Sequence, residues 1–366
     1  MSSDRVPSLV ARDAVYEVNP YRAPPPPDPH QVALRLSANE SAYGPSPRAL
    51  AAFKAAAEHA LRYPDAGQTS LREAIGQRYH LPPEHIVCGN GSDELIQLFI
   101  RAYVEPDAEV LLSDNSFIMS IIHSKVQAAR LIFAPEQGFR VDVDALIKRI
   151  GPATRLCTIA NPNNPTGTYV DEGSLRRLAE ALPDSSVFLV DEAYAEYATA
   201  PDFTSALSWA REYPNVVVTR TFSKIHALSG LRIGWAYGAP DIIEVINRIR
   251  TPFNTNCAAL AAATAAIRDV SYEESIREQN AHERDRVYAA LSQLGLNVIP
   301  SQTNFYLIDF STASARAYDA FCALQAENIQ IRPASPDDTT LRITLGTPEQ
   351  NDRVLETLGA HLAALP

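Results

Sequence analysis

The chain of 366 residues carries a formal net charge of −11, with 46% hydrophobic and 20% charged residues. This length and composition predict a globular protein with one large domain and a lesser one. The acidic balance argues against a nucleic-acid partner, and because no segment approaches the roughly 18 consecutive apolar residues of a membrane span, no membrane partner is expected either. A local cluster of Arg and Lys can still bind an anionic small molecule.

Residues 1–30 are predicted to form an irregular N-terminal arm. The run Pro24–Pro27 cannot be helical and favours an extended polyproline conformation. The first residues also lack a basic segment followed by an apolar one, so we expect no secretory signal.

From about residue 46, short β-rich runs alternate with amphipathic helical stretches. The β-rich runs are IVC (86–88), EVLLS (109–113), ARLIFAP (129–135), RLCTIANP (155–162), VFLVDEAY (187–194), VVVTRTFSK (216–224) and RIGWAYG (232–238). Nearly continuous apolar strands separated by helices are typical of a parallel sheet that is covered on both faces. The sequence therefore predicts an α/β fold with a mainly parallel seven-stranded sheet sandwiched by helices.

The chain beyond residue 254 is predicted to form a smaller C-terminal α/β domain. A long helical stretch begins near Cys257 and is followed by the strand-like NFYLIDF, the helical ARAYDAFCALQAEN, the strand-like IQIRP and LRITLG, and a terminal helix. These patterns divide the chain into an arm (1–30), a large domain (31–254) and a small domain (255–366).

The cysteine pattern bears on location and on metal binding. The four cysteines form no CxxC pair, and their spacing fits neither a zinc site nor a disulfide framework. We therefore expect buried, reduced thiols, no metal ion and a cytoplasmic location.

Three polar motifs follow predicted strands: GNGSDE (89–94), NPNNPTG (161–167) and DEAYAEY (191–197). Ligands of parallel α/β sheets bind beyond the carboxyl ends of the strands, so we expect these motifs to line one site. GNGSDE is a strand-to-helix turn whose amides suit an anion such as phosphate, although Asp93 is also an ordinary residue for the first turn of a helix.

Asn164 and Asp191 are candidate ligand-binding residues within these motifs. The Asn164 amide can donate to a ligand oxygen, although NPNNPTG is also compatible with a simple turn. Asp191 ends an apolar strand, where an acid is costly unless it meets a cation or a donor, so it contacts either a ligand or a structural salt-bridge partner. Tyr194 lies three residues further along and could flank the same ligand.

The segment FSKIHALSGLRIGW (222–235) places Lys224 and Arg232 among apolar residues. A lysine in an apolar pocket is a nucleophilic amine for a carbonyl group, whereas a lone lysine is more often a surface residue. Arg232 could bind a dianion together with the GNGSDE turn, and Thr221 and Ser223 add hydroxyls beside the lysine. One ligand with a phosphate, an aldehyde, a ring nitrogen and a phenolic oxygen would engage all of these groups, and pyridoxal phosphate is such a ligand.

Together these motifs resemble those of the fold-type-I aminotransferases and, within them, the histidinol-phosphate aminotransferase family. The resemblance extends from about Leu34 to Gly346 and runs, in family order, through LSANESAYGPSPRAL, YPD, GNGSDE, NPNNPTG, DEAYAEY, TFSK, GLRIGW, NFYLI and LRITLG. It implies a pyridoxal 5'-phosphate enzyme that transfers the amino group of histidinol phosphate to 2-oxoglutarate in histidine biosynthesis. An aromatic amino-acid aminotransferase and a pyridoxal-phosphate-dependent decarboxylase are the alternatives on the same scaffold.

The resemblance also implies roles for residues around the cofactor. Lys224 would bond covalently to it and transfer a proton, and Asp191 would pair with its ring nitrogen. Asn164 and Tyr194 would bind its phenolic oxygen, and Phe117 would stack on its ring. The residues implied around its phosphate are Gly91, Ser92, Asp93, Thr221, Ser223 and Arg232.

Further residues are implied at the substrate and at a subunit interface. Arg342 matches the arginine that holds the substrate's anionic group, and Arg332, Tyr21 and Asn164 are further candidates for that pocket. Tyr43 matches a tyrosine that reaches the cofactor phosphate of the neighbouring subunit, which implies a homodimer with shared active sites.

Two segments depart from the family pattern. His226 and Ala227 stand where the family commonly has Tyr or Phe followed by Gly, and NPYRAPPPP replaces a shorter, glycine-containing arm. His226 is expected either to pack in the interior or to contact the substrate.

Overall fold

The N-terminal arm is only partly described. The computed structural model describes residues 11–19, 33–311, 313, 316–333 and 339–364. The run Pro24–Pro27 lies outside the described residues. Asp13–Tyr16 form a four-residue helix, so this part of the predicted irregular arm is helical.

Twelve α-helices lie within the described residues: α1 (Asp13–Tyr16), α2 (Pro47–Ala56), α3 (Thr69–Tyr79), α4 (Ser92–Tyr103), α5 (Ile118–Val126), α6 (Val143–Ile147), α7 (Glu172–Ala181), α8 (Pro240–Ile249), α9 (Cys257–Arg268), α10 (Val270–Gln293), α11 (Ala317–Ala326) and α12 (Pro348–Ala363). In the described part of the chain, no helix combines the length and the apolar character needed to cross a membrane.

Fifteen β-strands lie within the same residues: β1 (Leu34–Arg35), β2 (Ile86–Gly89), β3 (Glu109–Ser113), β4 (Arg130–Ala134), β5 (Glu136–Gln137), β6 (Arg140–Val141), β7 (Thr154–Ala160), β8 (Val187–Asp191), β9 (Val216–Thr221), β10 (Gly234–Tyr237), β11 (Asn297–Ile299), β12 (Phe305–Asp309), β13 (Ile329–Gln330), β14 (Arg332–Pro333) and β15 (Thr340–Thr344).

The central sheet has seven strands in the order β2-β10-β9-β8-β7-β3-β4. The pairs from β9 to β4 are parallel, whereas β10 is antiparallel to both of its neighbours, β2 and β9. All seven predicted strands are present, and the predicted mainly parallel sheet is confirmed.

Strand β8 shows why its sequence is apolar throughout. Successive side chains of a strand point to opposite faces of the sheet. Phe188 and Val190 belong to a hydrophobic cluster with residues of α3, α6, α7 and α9, whereas Val187 and Leu189 belong to a second cluster with residues of α4 and α8. Helices therefore cover both faces, as the apolar strands predicted.

A second sheet, β11-β12-β15-β14, is antiparallel and packs with α10, α11 and α12 around its own core. Leu34 of β1 belongs to this core, because β1 pairs in parallel with β13. The helical stretch predicted from Cys257 is two helices, since Asp269 (φ −91°, ψ 60°) separates α9 from α10. Helix α9 packs in the core of the central sheet, and the domain division after residue 254 stays a prediction.

Several helices that border the central sheet begin with a side-chain cap, whereas α4 does not. The side chains of Ser46, Asp171 and Asn256 accept hydrogen bonds from backbone amides of the first turns of α2, α7 and α9. The N-cap of α4 is Gly91, which has no side chain to offer. The first amides of α4 are thereby left open to a ligand.

Candidate active site

The polar motifs converge on a cavity of about 850 Å³ at the carboxyl edge of the central sheet. Twelve of the residues predicted for the site line it: Ser92, Asp93, Phe117, Asn164, Asp191, Tyr194, Thr221, Ser223, Lys224, Arg232, Arg332 and Arg342. The expectation that strand ends bring these segments together holds, since β2, β7, β8 and β9 all lead into the cavity wall.

Lys224 lies three residues beyond the end of β9, and its amine is held by backbone carbonyls. The Nζ donates to the carbonyl oxygens of Ala38 at 3.1 Å and Asn39 at 3.2 Å. It also lies 5.4 Å from the centre of the Tyr194 ring. Among the described residues no carboxylate forms an ion pair with it. The amine is therefore positioned on the cavity wall without a fixed counter-charge.

Asp191 is the last residue of β8 and is buried, with 4% of its surface exposed. Burial, together with the negative charges of Asp93 and Glu192, raises the pKa of Asp191 to about 6, and a hydrogen bond from Thr219 opposes the shift. The side chains around it supply no cation that would offset the burial. A cationic ligand group beside this carboxylate would stabilise its charged form.

The start of α4, the loop after β9 and Arg232 form a cradle of hydrogen-bond donors. Gly91 has a positive φ of 87°, which favours glycine, and a Cβ at this position would also lie 2.6 Å from Arg232 Nη2 and displace the guanidinium. Arg232 Nη1 donates to the carbonyl of Ser229 at 3.1 Å. The Thr221 hydroxyl donates to Ser223 Oγ at 3.0 Å. Together with the open α4 amides, these groups suit a phosphate-like anion.

Arg342, on β15, approaches the opposite side of the cavity. Its Nη1 donates to Asn164 Oδ1 at 2.6 Å and its Nη2 to the carbonyl of Ser37 at 2.9 Å. Within the described part of the chain, the buried Nε has no hydrogen-bond partner, and burial lowers the pKa of this guanidinium. Arg332 is its register partner on β14. Two adjacent guanidinium groups, one with an open donor, favour an anionic ligand group here.

Among the described residues, Gly91, Tyr43 and His226 do not line this cavity, although Gly91 lies next to Ser92, which does. Tyr43 packs half-buried beside Tyr272, whose hydroxyl donates to the Tyr43 carbonyl at 3.1 Å. Its predicted role at a neighbouring subunit's site stays a prediction. Tyr21 lies outside the described residues. His226 is buried against Phe222, with ring centres 5.0 Å apart, and does not line the cavity, so of its two expected roles interior packing is the one observed.

Comparison with known proteins decides the family. Residues 32–358 match the family model of the class I and II aminotransferases. The histidinol-phosphate aminotransferase of Rhodospirillum centenum is 43% identical over 90% of this chain and 91% of its own length. That of Maricaulis maris is 42% identical over 98% of this chain and 100% of its own length.

The chain belongs to the class I and II aminotransferases, in the histidinol-phosphate aminotransferase family. The fold of this aminotransferase agrees with that assignment. The crystal structure of histidinol-phosphate aminotransferase from Sinorhizobium meliloti, in complex with pyridoxal-5'-phosphate, superposes with a TM-score of 0.85 at 29% identity, covering 92% of each chain. A Thermus thermophilus aspartate aminotransferase mutant superposes with a TM-score of 0.81 at 20% identity, which supports the fold alone.

The segment before α2 supplies partners in this aminotransferase that the motifs did not predict. Asn39 adopts a left-handed conformation (φ 56°), and its Nδ2 donates to Tyr194 Oη at 2.9 Å. Asn304 Nδ2 donates to the Asn39 carbonyl at 3.1 Å, beside the bond from Lys224. Asn39 lies in the motif LSANESAYGPSPRAL, and asparagine tolerates the left-handed region, but the motif did not indicate its partners because they lie far away along the chain.

Proposed function

We propose that the chain catalyses pyridoxal-phosphate-dependent transfer of the amino group of histidinol phosphate to 2-oxoglutarate, giving imidazole acetol phosphate and glutamate in histidine biosynthesis. The observation that carries the proposal is one cavity that combines an amine without an ion pair, a buried carboxylate, an anion cradle and a pair of arginines. The relatives at 43% and 42% identity are histidinol-phosphate aminotransferases.

The residues of the cavity fit pyridoxal 5'-phosphate. The glycine-dependent cradle at Gly91 and Arg232 offers donors for the phosphate. Asp191, whose pKa is raised by burial, gains from a protonated ring nitrogen beside it. Lys224 offers its amine to the aldehyde, and Phe117 supplies an aromatic face for the ring. When bound, the cofactor supplies an electron sink for the electron pair that is left when a C–H bond beside the substrate's amino group breaks.

The protein side chains then position groups and move one proton. The negative charge of the Asp191 carboxylate would stabilise a proton on the ring nitrogen of the cofactor. Asn164 and Tyr194 bind the phenolic oxygen, and each is itself held, Asn164 by Arg342 and Tyr194 by Asn39. Lys224 Nζ would take the proton from the amino-bearing carbon of the substrate and deliver it in the later part of the transfer, since this amine lies on the cavity wall.

The arginines account for the choice of substrate. A transaminase accepts its two substrates in turn at one site. Histidinol phosphate and glutamate share an amino group and an anionic tail, and Arg342 with Arg332 suits both tails because a guanidinium binds phosphate or carboxylate bidentately.

We further propose that two copies of the chain form a homodimer. Leu61 and Tyr63 are 83% and 82% exposed, and the Tyr63 ring stacks on the exposed Phe253 at 4.5 Å. Such apolar exposure is typical of a protein–protein contact. The neighbouring Asn254 donates to Glu94 in the first turn of α4 at 2.8 Å, so the apolar residues lie on the cradle side of the cavity. A partner bound there would approach the active site, which supports shared sites.

A cytoplasmic location is part of the proposal. All four cysteines are free thiols, but the expectation that they are buried holds only for Cys88 and Cys157, since Cys257 is half-buried and Cys322 is exposed. Burial raises the pKa of Cys88 to about 12, which disfavours the thiolate that oxidation requires.

The function is tested by presenting the cofactor-loaded protein with single amino donors and 2-oxoglutarate. Glutamate formation should be fastest, in kcat/KM, with histidinol phosphate. Phenylalanine and tyrosine test the aromatic alternative, and release of carbon dioxide from threonine phosphate tests the decarboxylase. A higher kcat/KM for either aromatic amino acid would overturn the substrate assignment, and carbon dioxide release without amino transfer would overturn the reaction.

A further inference from the structure

His123, on α5, is absent from the residues assigned to the proposed site, yet it contacts one of them. Its Nε2 lies 3.1 Å from Asp93 Oδ1. The His123 side chain is 13% exposed and that of Asp93 is 40% exposed. The pair joins α5 to the first turn of α4, at the cavity wall to which Asp93 contributes.

Asp93 lies at the start of α4, so the direction of its side chain decides whether it binds the amides of that helix. It is the second residue of α4, where an aspartate often bonds to the amides of its own helix. Here, among the described residues, Asp93 makes its side-chain contact with His123 and none with those amides. Gly91 provides no cap either. The amides of the first turn thus stay available for an anion.

The charge of Asp93 opposes that anion. Its carboxylate already acts on the cavity, because its negative charge is one cause of the raised pKa of Asp191, after burial. The same charge would repel a phosphate dianion at the α4 amides. A positive charge on His123 offsets it directly, since opposite charges at this separation attract even where solvent reaches them.

No other acid is an ion-pair partner of His123 in the described chain. Helices α1 and α4 and strand β4 pack against α5. Besides Asp93, the charged side chains on these four elements or one residue beyond their ends are Arg12, Asp13, Glu17, Glu94, Arg101, Lys125 and Arg130. Arg130 pairs with Glu109, and Glu94 accepts from the amide of Asn90 at 2.5 Å. Asp93 is therefore the acid that pairs with His123.

We propose that His123 is a positioning residue for the cofactor phosphate: its protonated ring draws the Asp93 carboxylate away from the α4 amides and neutralises its charge. The inference rests on the proposed cofactor. Histidine side chains change charge between about pH 5 and 8. Comparing phosphate binding at pH values low in that range and above it therefore tests whether a charge on the ring contributes.

The test titrates cofactor-free protein with pyridoxal phosphate, and separately with pyridoxal, following the visible absorption of the bound cofactor at pH 6 and pH 8.5. His123→Gln keeps a polar partner for Asp93 without the charge. The substitution should raise the Kd for pyridoxal phosphate about three- to tenfold at pH 6, as expected for the loss of one partly exposed charge pair. At pH 8.5 the Kd should rise much less. Pyridoxal, which lacks the phosphate, should bind the variant and the wild type equally.

Two further variants sharpen the result. Adding Asp93→Asn to His123→Gln removes the opposing charge and should restore the Kd for pyridoxal phosphate toward the wild-type value. His59→Gln, at an exposed histidine before α3, should leave the Kd unchanged. Thermal unfolding of each cofactor-free variant checks that it is folded.

Equal Kd values for the wild type and His123→Gln at pH 6 would overturn the inference, as would equal weakening of pyridoxal and pyridoxal phosphate. In either case a wild type that binds the cofactor and transaminates leaves the proposed function standing. A wild type that binds no pyridoxal phosphate would overturn both.

Discussion

Asp191 and Thr219 face each other across strands β8 and β9, and the Thr219 hydroxyl donates to the Asp191 carboxylate at 2.9 Å. The next residue of each segment, Glu192 and Arg220, forms a buried ion pair at 2.8 Å. Successive side chains of a strand alternate between faces, so Asp191 lines the cavity while the ion pair lies behind it. The ion pair ties the two strands together beside the site without entering it.

Asp191→Asn should stabilise the cofactor-free protein at neutral pH. Burial raises the pKa of Asp191 from the ordinary 3.8 to about 6. Between these values the folded chain holds a proton that the unfolded chain has released, so this carboxyl costs stability increasingly as the pH rises, and fully above about pH 6. The thermal midpoint of the variant, relative to wild type, should therefore rise between pH 4 and pH 6 and then level off. A difference that does not vary with pH would contradict the argument.

Lys224→Ala should abolish turnover while leaving part of the cofactor affinity. The amine is proposed as both the covalent attachment and the base, so the rate of amino transfer should fall by about 10⁴-fold or more. Donors at Arg232 and the α4 amides would still hold the phosphate. Single-turnover mixing with histidinol phosphate measures the rate, and borohydride should fix the cofactor to the wild type but not to the variant. Near-wild-type turnover would refute the proposed role.

Arg342→Ala should reduce kcat/KM for histidinol phosphate by about 10²–10³-fold, because charge-assisted hydrogen bonds contribute roughly 1.5–3 kcal/mol each. Arg342→Lys is the matched control, because it keeps the positive charge but loses the planar guanidinium. Its kcat/KM for histidinol phosphate should lie between those of the wild type and Arg342→Ala. If both variants retain wild-type kcat/KM, Arg342 does not hold the anionic tail.

Ala227→Gly should stabilise the fold by about 1 kcal/mol, because a left-handed conformation is costly for a residue with a Cβ. Ala227 has a φ of 55°, at the position where the family commonly has glycine. Ala51→Gly, at an exposed site in α2, should instead destabilise by about 1 kcal/mol. Urea midpoints of the two variants should move in opposite directions, and a loss of stability in Ala227→Gly would rule out strain at this residue.

Tyr63→Asp should disrupt the proposed homodimer. The side chain is 82% exposed and stacks on Phe253, so a carboxylate there would be buried without a partner in the dimer interface. Sedimentation should give twice the chain mass for the wild type and a lower mass for the variant. Tyr288→Asp, on α10 at 41% exposure, is the control and should remain dimeric. A monomeric wild type would refute the dimer.

Much of the site was readable from the sequence because its residues are coded by local patterns. The apolar runs predicted the seven strands of the central sheet, and turn-forming motifs after them predicted the residues of the cavity wall. The prediction that Asp191 has a polar partner also followed locally, because an acid that ends a buried strand requires one, and Thr219 is such a partner. These signals involve neighbours in the chain, for which periodicity and turn chemistry suffice.

Tertiary structure alone decided which distant residues meet. The antiparallel direction of β10, the pairing of β1 with β13 and the carbonyls that hold Lys224 join segments far apart in the chain. His123 lies in no recognisable motif, and its contact with Asp93 depends on how α5 packs on α4. Tyr43 matched a family tyrosine, and in its own chain it packs against the cluster that contains Tyr194 and Phe305, so its role at a neighbouring subunit stays a prediction. A sequence pattern specifies the face that a residue presents, whereas its partner depends on the packing of the whole fold.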